Sequence, residues 1–565
     1  MPACRNGRRG RLKICCGQPR AGSSPAAGIK ILEKNRLLVG SFFTRVARKN
    51  LGEKKEPNSL WRTSFLLKFG EHRDNSRNSL SVFLVVTRVA RKLLSVFLVV
   101  MRVEGKENHM EQTNDRTFLE TEPVGKLLLK LALPTVAAQL INMMYNIVDR
   151  MYIGHIPGDG AMALTGVGVC MPLIMVVSAF AALISNGGAP RATIFMGKGE
   201  KDKAEKTLGN CFCTQIIVSL ILTAFLLAGN RGFLLAFGAS ENTISFATDY
   251  MNIYAIGTIF VQLTLGMNAF ITAQGFARTG MLSVLIGAVI NIALDPVFIF
   301  GFGMGVKGAA LATVLSQACS CIWVLAFLCG KKMHLRLKGK NMILQANIIW
   351  PSIALGTAMF IMQASESVIS VCFNSSLLRY GGDMAVGAMT ILTSVMQFAL
   401  LPLQGLGQGA QPIISYNYGA KRADRVKEAY FLLLKIDVGF SFALWVLVMA
   451  FPRAFAAMFT SDAALIAYTG NALRIYLMAI LIFGIQMACQ MAFTSLGKAV
   501  SSIIVAVMRK FVLLLPLIYI MPHILTGNQA MAVYMAEPVA DVLAVSFTSV
   551  LFYFQFRKVL RQIEG

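Results

Sequence analysis

The sequence predicts an all-α integral membrane protein: twelve transmembrane helices in two pseudo-symmetric six-helix bundles, related as parallel repeats. Three observations predict it. Hydrophobic residues make up 55% of the 565 and charged ones 15%, against roughly 25% charged in a soluble domain, and the mean hydropathy is +0.61. From Lys126 onward, apolar stretches long enough to span a bilayer core as helix recur along the chain. A single offset of 222 residues then brings the first half into register with the second. This composition excludes a soluble multidomain enzyme, a disordered scaffold and a disulfide-rich secreted protein.

Taken in order, residues 1–109 form a basic, repeat-containing extension. They hold 23 Lys and Arg against 7 Asp and Glu, a net +16 of the total +26. The opening has no apolar core, so it is not a secretory signal. SVFLVVTRV at 81–89 recurs as SVFLVVMRV at 95–103, but Arg88, Arg91 and Lys92 interrupt this apolar stretch. Such charges cost about 2.5–3.5 kcal/mol each at a membrane centre, which argues against a span. The expected functional start is Met110, or Met101; the alternative is a basic arm lying on the membrane surface. Beyond residue 109 the net charge is +10, what basic cytoplasmic loops produce, and nucleic acid is not a needed partner.

The first lobe, 110–329, is expected to hold spans near 127–153, 162–186, 208–228, 245–273, 278–300 and 307–329. A basic cytoplasmic linker, 330–346, follows. The second lobe, 347–565, has spans near 347–372, 385–406, 428–450, 468–494, 499–522 and 533–556. With the N-terminus inside, the cytoplasmic connections and tail hold 18 Lys and Arg and the opposite connections four. Both termini are therefore expected in the cytoplasm of a cell that carries the protein in its plasma membrane. The eleven cysteines read as small hydrophobes, since neither C-x-C pair has a His or carboxylate nearby to complete a metal site.

The offset of 222 pairs Ala132 with Ala354, Gly187 with Gly409, Pro190 with Pro412, Gly197 with Gly419, Asp202 with Asp424, Tyr254 with Tyr476 and Gly275 with Gly497. Each unit has an even number of spans, so both copies enter the membrane in the same sense. Two such bundles around a cavity suit alternating access.

The runs LALPTVAAQLINMMYNIVDRMYIGH, SNGGAPRATIFMGKGEKDKAE and ITAQGFARTGMLSVLIGAVINIALDPVFIFGFGMGVKGAALATVLSQ resemble the multidrug and toxic compound extrusion family, as do GGDMAVGAMTI and LQGLGQGAQPIISYNYGAKRADRVKEA in the second half. The resemblance covers about 120–560. It implies a secondary antiporter that expels cationic, amphipathic compounds in exchange for H⁺ or Na⁺, with no other cofactor; a monomer is expected. It also matches Asp149 on span 1, Asn291 and Asp295 on span 5 and Thr313 on span 6 to the acidic network of one family subgroup, and Glu366 on span 7 to the cation site of another branch. That branch's further second-lobe acids have no clear match here.

The residues themselves point the same way. Acids within or near spans are Asp149, Asp295, Glu366, Asp437, Glu537 and Asp541. A carboxylate in hydrocarbon is costly and marks a functional site by default; it can take up and release a proton or attract a cation. Tyr145 lies one turn before Asp149, and Asn291 and Asp295 share a helix face at i and i+4. The plain alternative is helix–helix hydrogen bonding beside Pro296. The offset maps Asp149 to Val371, Asn291 to Leu513 and Asp295 to Leu517, so these groups exist in one half only. Coupling is therefore expected in the first lobe, with Na⁺ possible at Asp149/Asp295 or at Glu366.

Gln139, Asn142, Gln363 and Glu366 are the expected pocket polars, taking small cationic substrates between lobes that face membrane lipid. Arg150, Arg509 and Lys510 are expected to snorkel to span ends more often than to pair with acids. No nucleotide-binding loop, nucleophile elbow or metal set is found in the sequence, so an enzyme is the weakest reading. A lipid-linked saccharide flippase of the same broader superfamily is the nearer alternative; it would need mid-span basic residues for a pyrophosphate.

Overall fold

The structure, a computed structural model, describes residues 118–330, 333–460 and 462–564. The expectations for 1–109 and for a start at Met110 fall outside the described residues. In the first lobe the membrane helices are α1 (Val124–Gly154), α2 (Gly160–Gly197), α3 (Lys201–Ala236), α4 (Ile244–Ala273), α5 (Ala277–Pro296, continued by a wide turn over Val297–Gly301) and α6 (Val306–Cys329). Helix α2 runs well past the predicted end of its span, and α3 starts before the predicted start. The first turn of α3 carries Lys201 and Lys203 beyond the apolar zone.

The second lobe opens with one continuous helical stretch, Ala346–Gly419, of 74 residues. At about 1.5 Å per residue it would be roughly 110 Å long, against a hydrocarbon core of about 30 Å. It is two spans joined at Gly382, whose φ of 63° and ψ of −162° belong to a region only glycine occupies freely. We number them α7 (346–381) and α8 (383–419). Then follow α9 (Ala423–Ala450), α10 (Ala463–Tyr476 and Ile480–Ser495, bent by 50°), α11 (Ala499–Ile524) and α12 (Gln529–Glu564). Counted this way the described residues cross the membrane twelve times, as the hydropathy pattern predicts.

The lobes meet on the side that carries the basic connections. The Thr135 hydroxyl of α1 donates to the Gly405 carbonyl of α8 at 2.6 Å. Gly409 packs on Ala132, and a Cβ on Gly187 or Gly356 would fall on the carbonyls of Ser352 and Leu183 across the α2–α7 contact. Gly197 and Gly419 meet Tyr416 and Ile194 in the same way. Small residues let backbones approach closely, the usual means of holding helices together in lipid. Two of these contacts are repeat twins, Gly187/Gly409 and Gly197/Gly419, so duplication built both halves of the seam. Among the described residues no hydrogen bond joins the lobes beyond Gln139 and Gln408 toward the other face.

The linker is more than a basic spacer. Lys338 pairs with the buried Glu205 of α3 at 2.7 Å, Gln274 accepts the Leu335 N–H at 2.7 Å, and Asn210 accepts the Gln345 N–H at 2.6 Å. Met333 and Leu335 are buried against α3 and α4. The segment before α1 reaches the other way: Asn417 and Arg425 both donate to the Leu119 carbonyl.

Candidate functional site

Helices α1, α5 and α6 bring the predicted first-lobe residues together. The Asn291 amide donates to Asp295 at 3.2 Å and to the Thr313 hydroxyl at 3.4 Å. Asp295 is fully buried and Asp149 nearly so. The two carboxylates repel one another, and Tyr145 feels the charge of Asp149. Asp149 Oδ1, Asp295 Oδ2 and Asn291 Oδ1 are all buried without a hydrogen-bond partner. Buried acceptors of this kind are normally satisfied, so this cluster has unused capacity for a proton or a cation. Arg150 turns away and donates to the Met171 sulfur at 3.3 Å.

Tyr250 on α4 joins this cluster without having been singled out in the sequence. It is buried and lies against both Asp149 and Thr313, with Tyr254 stacked one turn further on at 6.2 Å. The available signal was two tyrosines at i and i+4 within an apolar span, each needing a hydroxyl partner.

The second lobe departs from the snorkelling expectation. Arg509 is buried and holds Asp541 through Nε at 2.8 Å and Glu537 at 3.0 Å, with its guanidinium over the Phe483 ring at 4.7 Å. Lys510 donates to Glu366 on α7 at 2.5 Å; the Lys510 side chain is 4% exposed and that of Glu366 50%. Two consecutive residues can both face inward because Met508–Leu514 forms a wide turn. Pro516, two residues beyond it, cannot donate to the preceding turn and clashes with it, which favours such widening. At the mapped first-lobe positions stand Gly287, Ala288, Leu315 and Cys319, so this network has no twin.

A small pocket lies mainly within the second lobe, lined by Gln404, Gln408, Gln411, Gln490 and Thr494 with Met359, Met362, Met487 and Met491, and Asn186 of α2 is its one first-lobe wall residue. Its walls offer amides and thioethers and no formal charge. Gln139 reaches it by donating to Gln408 at 3.2 Å. Asn142, Gln363 and Glu366 are not among its lining residues; Gln363 follows Met362 on α7 and Asn142 is half-buried on α1.

The family model MatE matches residues 134–297 and again 358–520. The chain belongs to the MatE family. The two MatE matches fall one in each lobe, at nearly the spacing of the internal repeat. Relatives include the multidrug export protein MepA of Staphylococcus haemolyticus, 24% identical over 430 residues, which cover 76% of this chain and 94% of that protein. MepA of Staphylococcus aureus is 22% identical over 409 residues, covering 72% and 88%. Among solved structures, a MATE transporter of the MOP superfamily in an outward-facing conformation aligns with a TM-score of 0.74 at 21% identity, covering 80% of this chain and 99% of that one. A MATE structure in a bent conformation aligns with a TM-score of 0.75 at 20% identity, covering 80% of this chain and all of that one. The chain is thus a MatE membrane transporter rather than an enzyme.

Proposed function

We propose that the protein is a secondary antiporter that exports cationic, amphipathic compounds, driven by inward movement of H⁺ through the first-lobe carboxylates. The observation that carries this reading is the Asp149–Asp295 cluster, two buried carboxylates with orphaned oxygens and no basic partner in hydrogen-bond contact. In an apolar setting two such groups cannot both stay ionised without a cation, and a proton is the smallest one available. The multidrug export named for the MepA relatives supports the direction of transport and drugs as cargo.

The cycle follows from these residues. With the basic loops in the cytoplasm, the glycine seam closes the inner side. Protonation of Asp149 and Asp295 removes their mutual repulsion and changes which partner Asn291 and Tyr145 engage. The first-lobe helices then tighten and the substrate leaves. Opening of the seam lets the protons go inward, and the ionised pair favours a new cation. A membrane potential contributes about 2.3 kcal/mol per charge per 100 mV. Na⁺ at Glu366 is the weaker alternative, since it would have to compete with the Lys510 ammonium already seated there.

The test uses inside-out vesicles and a fluorescent lipophilic cation, with an imposed H⁺ or Na⁺ gradient. Proton-driven uptake should be abolished by Asp149→Asn and by Asp295→Asn. Uptake driven by Na⁺ and unaffected by either substitution would overturn the first-lobe assignment.

A further inference from the structure

Asp437 stands apart from both charge clusters. It lies on α9, fully buried, and neither carboxylate oxygen has a hydrogen-bond partner. One turn on, the Ser441 hydroxyl is equally buried and also unpartnered. The elements packed against α9 do not neutralise it. Cys489 on α10 bonds Tyr430, Lys130 on α1 pairs with Glu122, and Glu537 and Asp541 on α12 are held by Arg509. Tyr416, Tyr418, Arg453, Tyr468, Arg474 and Tyr476, on the other neighbouring elements, make no hydrogen bond or ion pair to it.

The internal repeat says what the position needs. The offset of 222 sets Asp437 and Ser441 opposite Gln215 and Ser219 of α3. Gln215 is also fully buried, and its amide donates to the Ala181 carbonyl of α2 at 3.2 Å. Gly266 leaves the space for that long amide, because a Cβ there would strike it. The twin of Gly266 is Ala488, buried on α10, so the second lobe has gained a methyl where the side chain opposite became shorter. One lobe thus fills this place with a neutral donor that cannot titrate, and the other with an acid that can. Only the neutral acid has an O–H to donate as Gln215 donates its N–H.

We propose that Asp437 is a second proton-binding site, neutral in this conformation and discharged to water when the helices around it rearrange. This rests on the antiporter reading and deepens it: the second lobe moves a proton of its own. The step is the loss of H⁺ from the carboxyl O–H, leaving the carboxylate. Water would be admitted by α10, whose lower half seats Gly484 on the Asp437 backbone and is bent by 50° from its upper half just before that contact.

The experiment uses the full chain in lipid nanodiscs and tetraphenylphosphonium as the cation. Infrared difference spectra at neutral pH should lose one carboxylic-acid C=O band in Asp437→Asn, and Asp437→Glu should shift that band without abolishing it. A pH dye in weak buffer should then register one proton fewer released per cation bound by Asp437→Asn than by the unaltered chain. If no band is lost, Asp437 is ionised and the proposal fails. If the band is lost but proton release is unchanged, the proton is a fixed structural one and the carrier role fails. If the unaltered chain releases no proton at all, the antiporter reading fails with it, while the band still reports whether Asp437 is protonated. Should Asp437→Asn not fold, the Asp437→Glu shift decides the protonation, and its absence refutes it.

Discussion

Replacing Arg509 by Met tests the second-lobe ion network most directly. The guanidinium bridges Glu537 and Asp541, whose side chains are 6% and 4% exposed. Met fills similar space but leaves two carboxylates one turn apart on α12 with no counter-charge in contact, Lys510 being paired with Glu366. Removing one partner of a buried pair typically costs about 3–5 kcal/mol, because the remaining charge is stranded. A lobe of this size loses about 2–4 °C of Tm per kcal/mol, so the expected fall is roughly 6–20 °C. Unfolding in detergent is followed with a fluorogenic thiol reagent, since Cys170, Cys211, Cys321 and Cys489 are buried until the helices separate. The triple variant Arg509→Met/Glu537→Gln/Asp541→Asn should regain most of the loss, because neutral groups need no counter-ion. A fall under about 2 °C, or a triple variant no better than the single one, would refute the idea that the network is held by its charges.

Removing the tethered ammonium should change ion response: Lys510→Gln frees Glu366, and NaCl should then raise the melting temperature above that in choline chloride, an effect absent from the unaltered chain. Gly409→Leu should wedge the seam open against Ala132; transport should fall by roughly tenfold or more (about 1.4 kcal/mol), while a thiol placed on the pocket wall becomes reactive from the basic-loop side. Gln408→Ala removes one neutral inter-lobe hydrogen bond worth about 0.5–1.5 kcal/mol, so the balance of conformations, read by spin-label distances, should move by roughly two- to tenfold. Tyr250→Phe keeps the ring and removes the hydroxyl beside Asp149 and Thr313; the pH profile of transport should shift while the melting temperature moves by no more than about 2 °C.

The parts legible in the sequence were those written in local periodicity. Twelve apolar stretches mark the crossings, and Asn291 and Asp295 share a face because helical spacing puts them there. The repeat offset, read from identical residues alone, anticipated the paired glycines of the lobe seam. What stayed hidden was long-range or depended on backbone detail. Lys510 finds Glu366 144 positions away, and nothing near either residue announces the other. That Arg509 and Lys510 point inward together depends on a wide turn near Pro516, whereas regular helix geometry turns consecutive residues about 100° apart and so favoured snorkelling. The docking of the linker on α3 and α4 escaped notice because its lysines mask Met333 and Leu335. Glu205 falls between the predicted spans at 162–186 and 208–228, yet it is buried as the partner of Lys338.

The seam of backbone against backbone has a consequence for how this protein can vary. No ion pair has to be broken or rehydrated to part α2 from α7, so salt should act on the opening only through the half-exposed Arg422–Glu120 pair. The limit is shape: Gly187, Gly356, Gly405 and Gly409 stand where any larger residue meets main chain rather than a side chain that could step aside. A saturation library selected on drug survival should therefore show these four columns nearly blank. The Met and Gln columns around the pocket should be crowded with tolerated changes, so new substrate preferences would arise in the walls while the hinge line stays as it is.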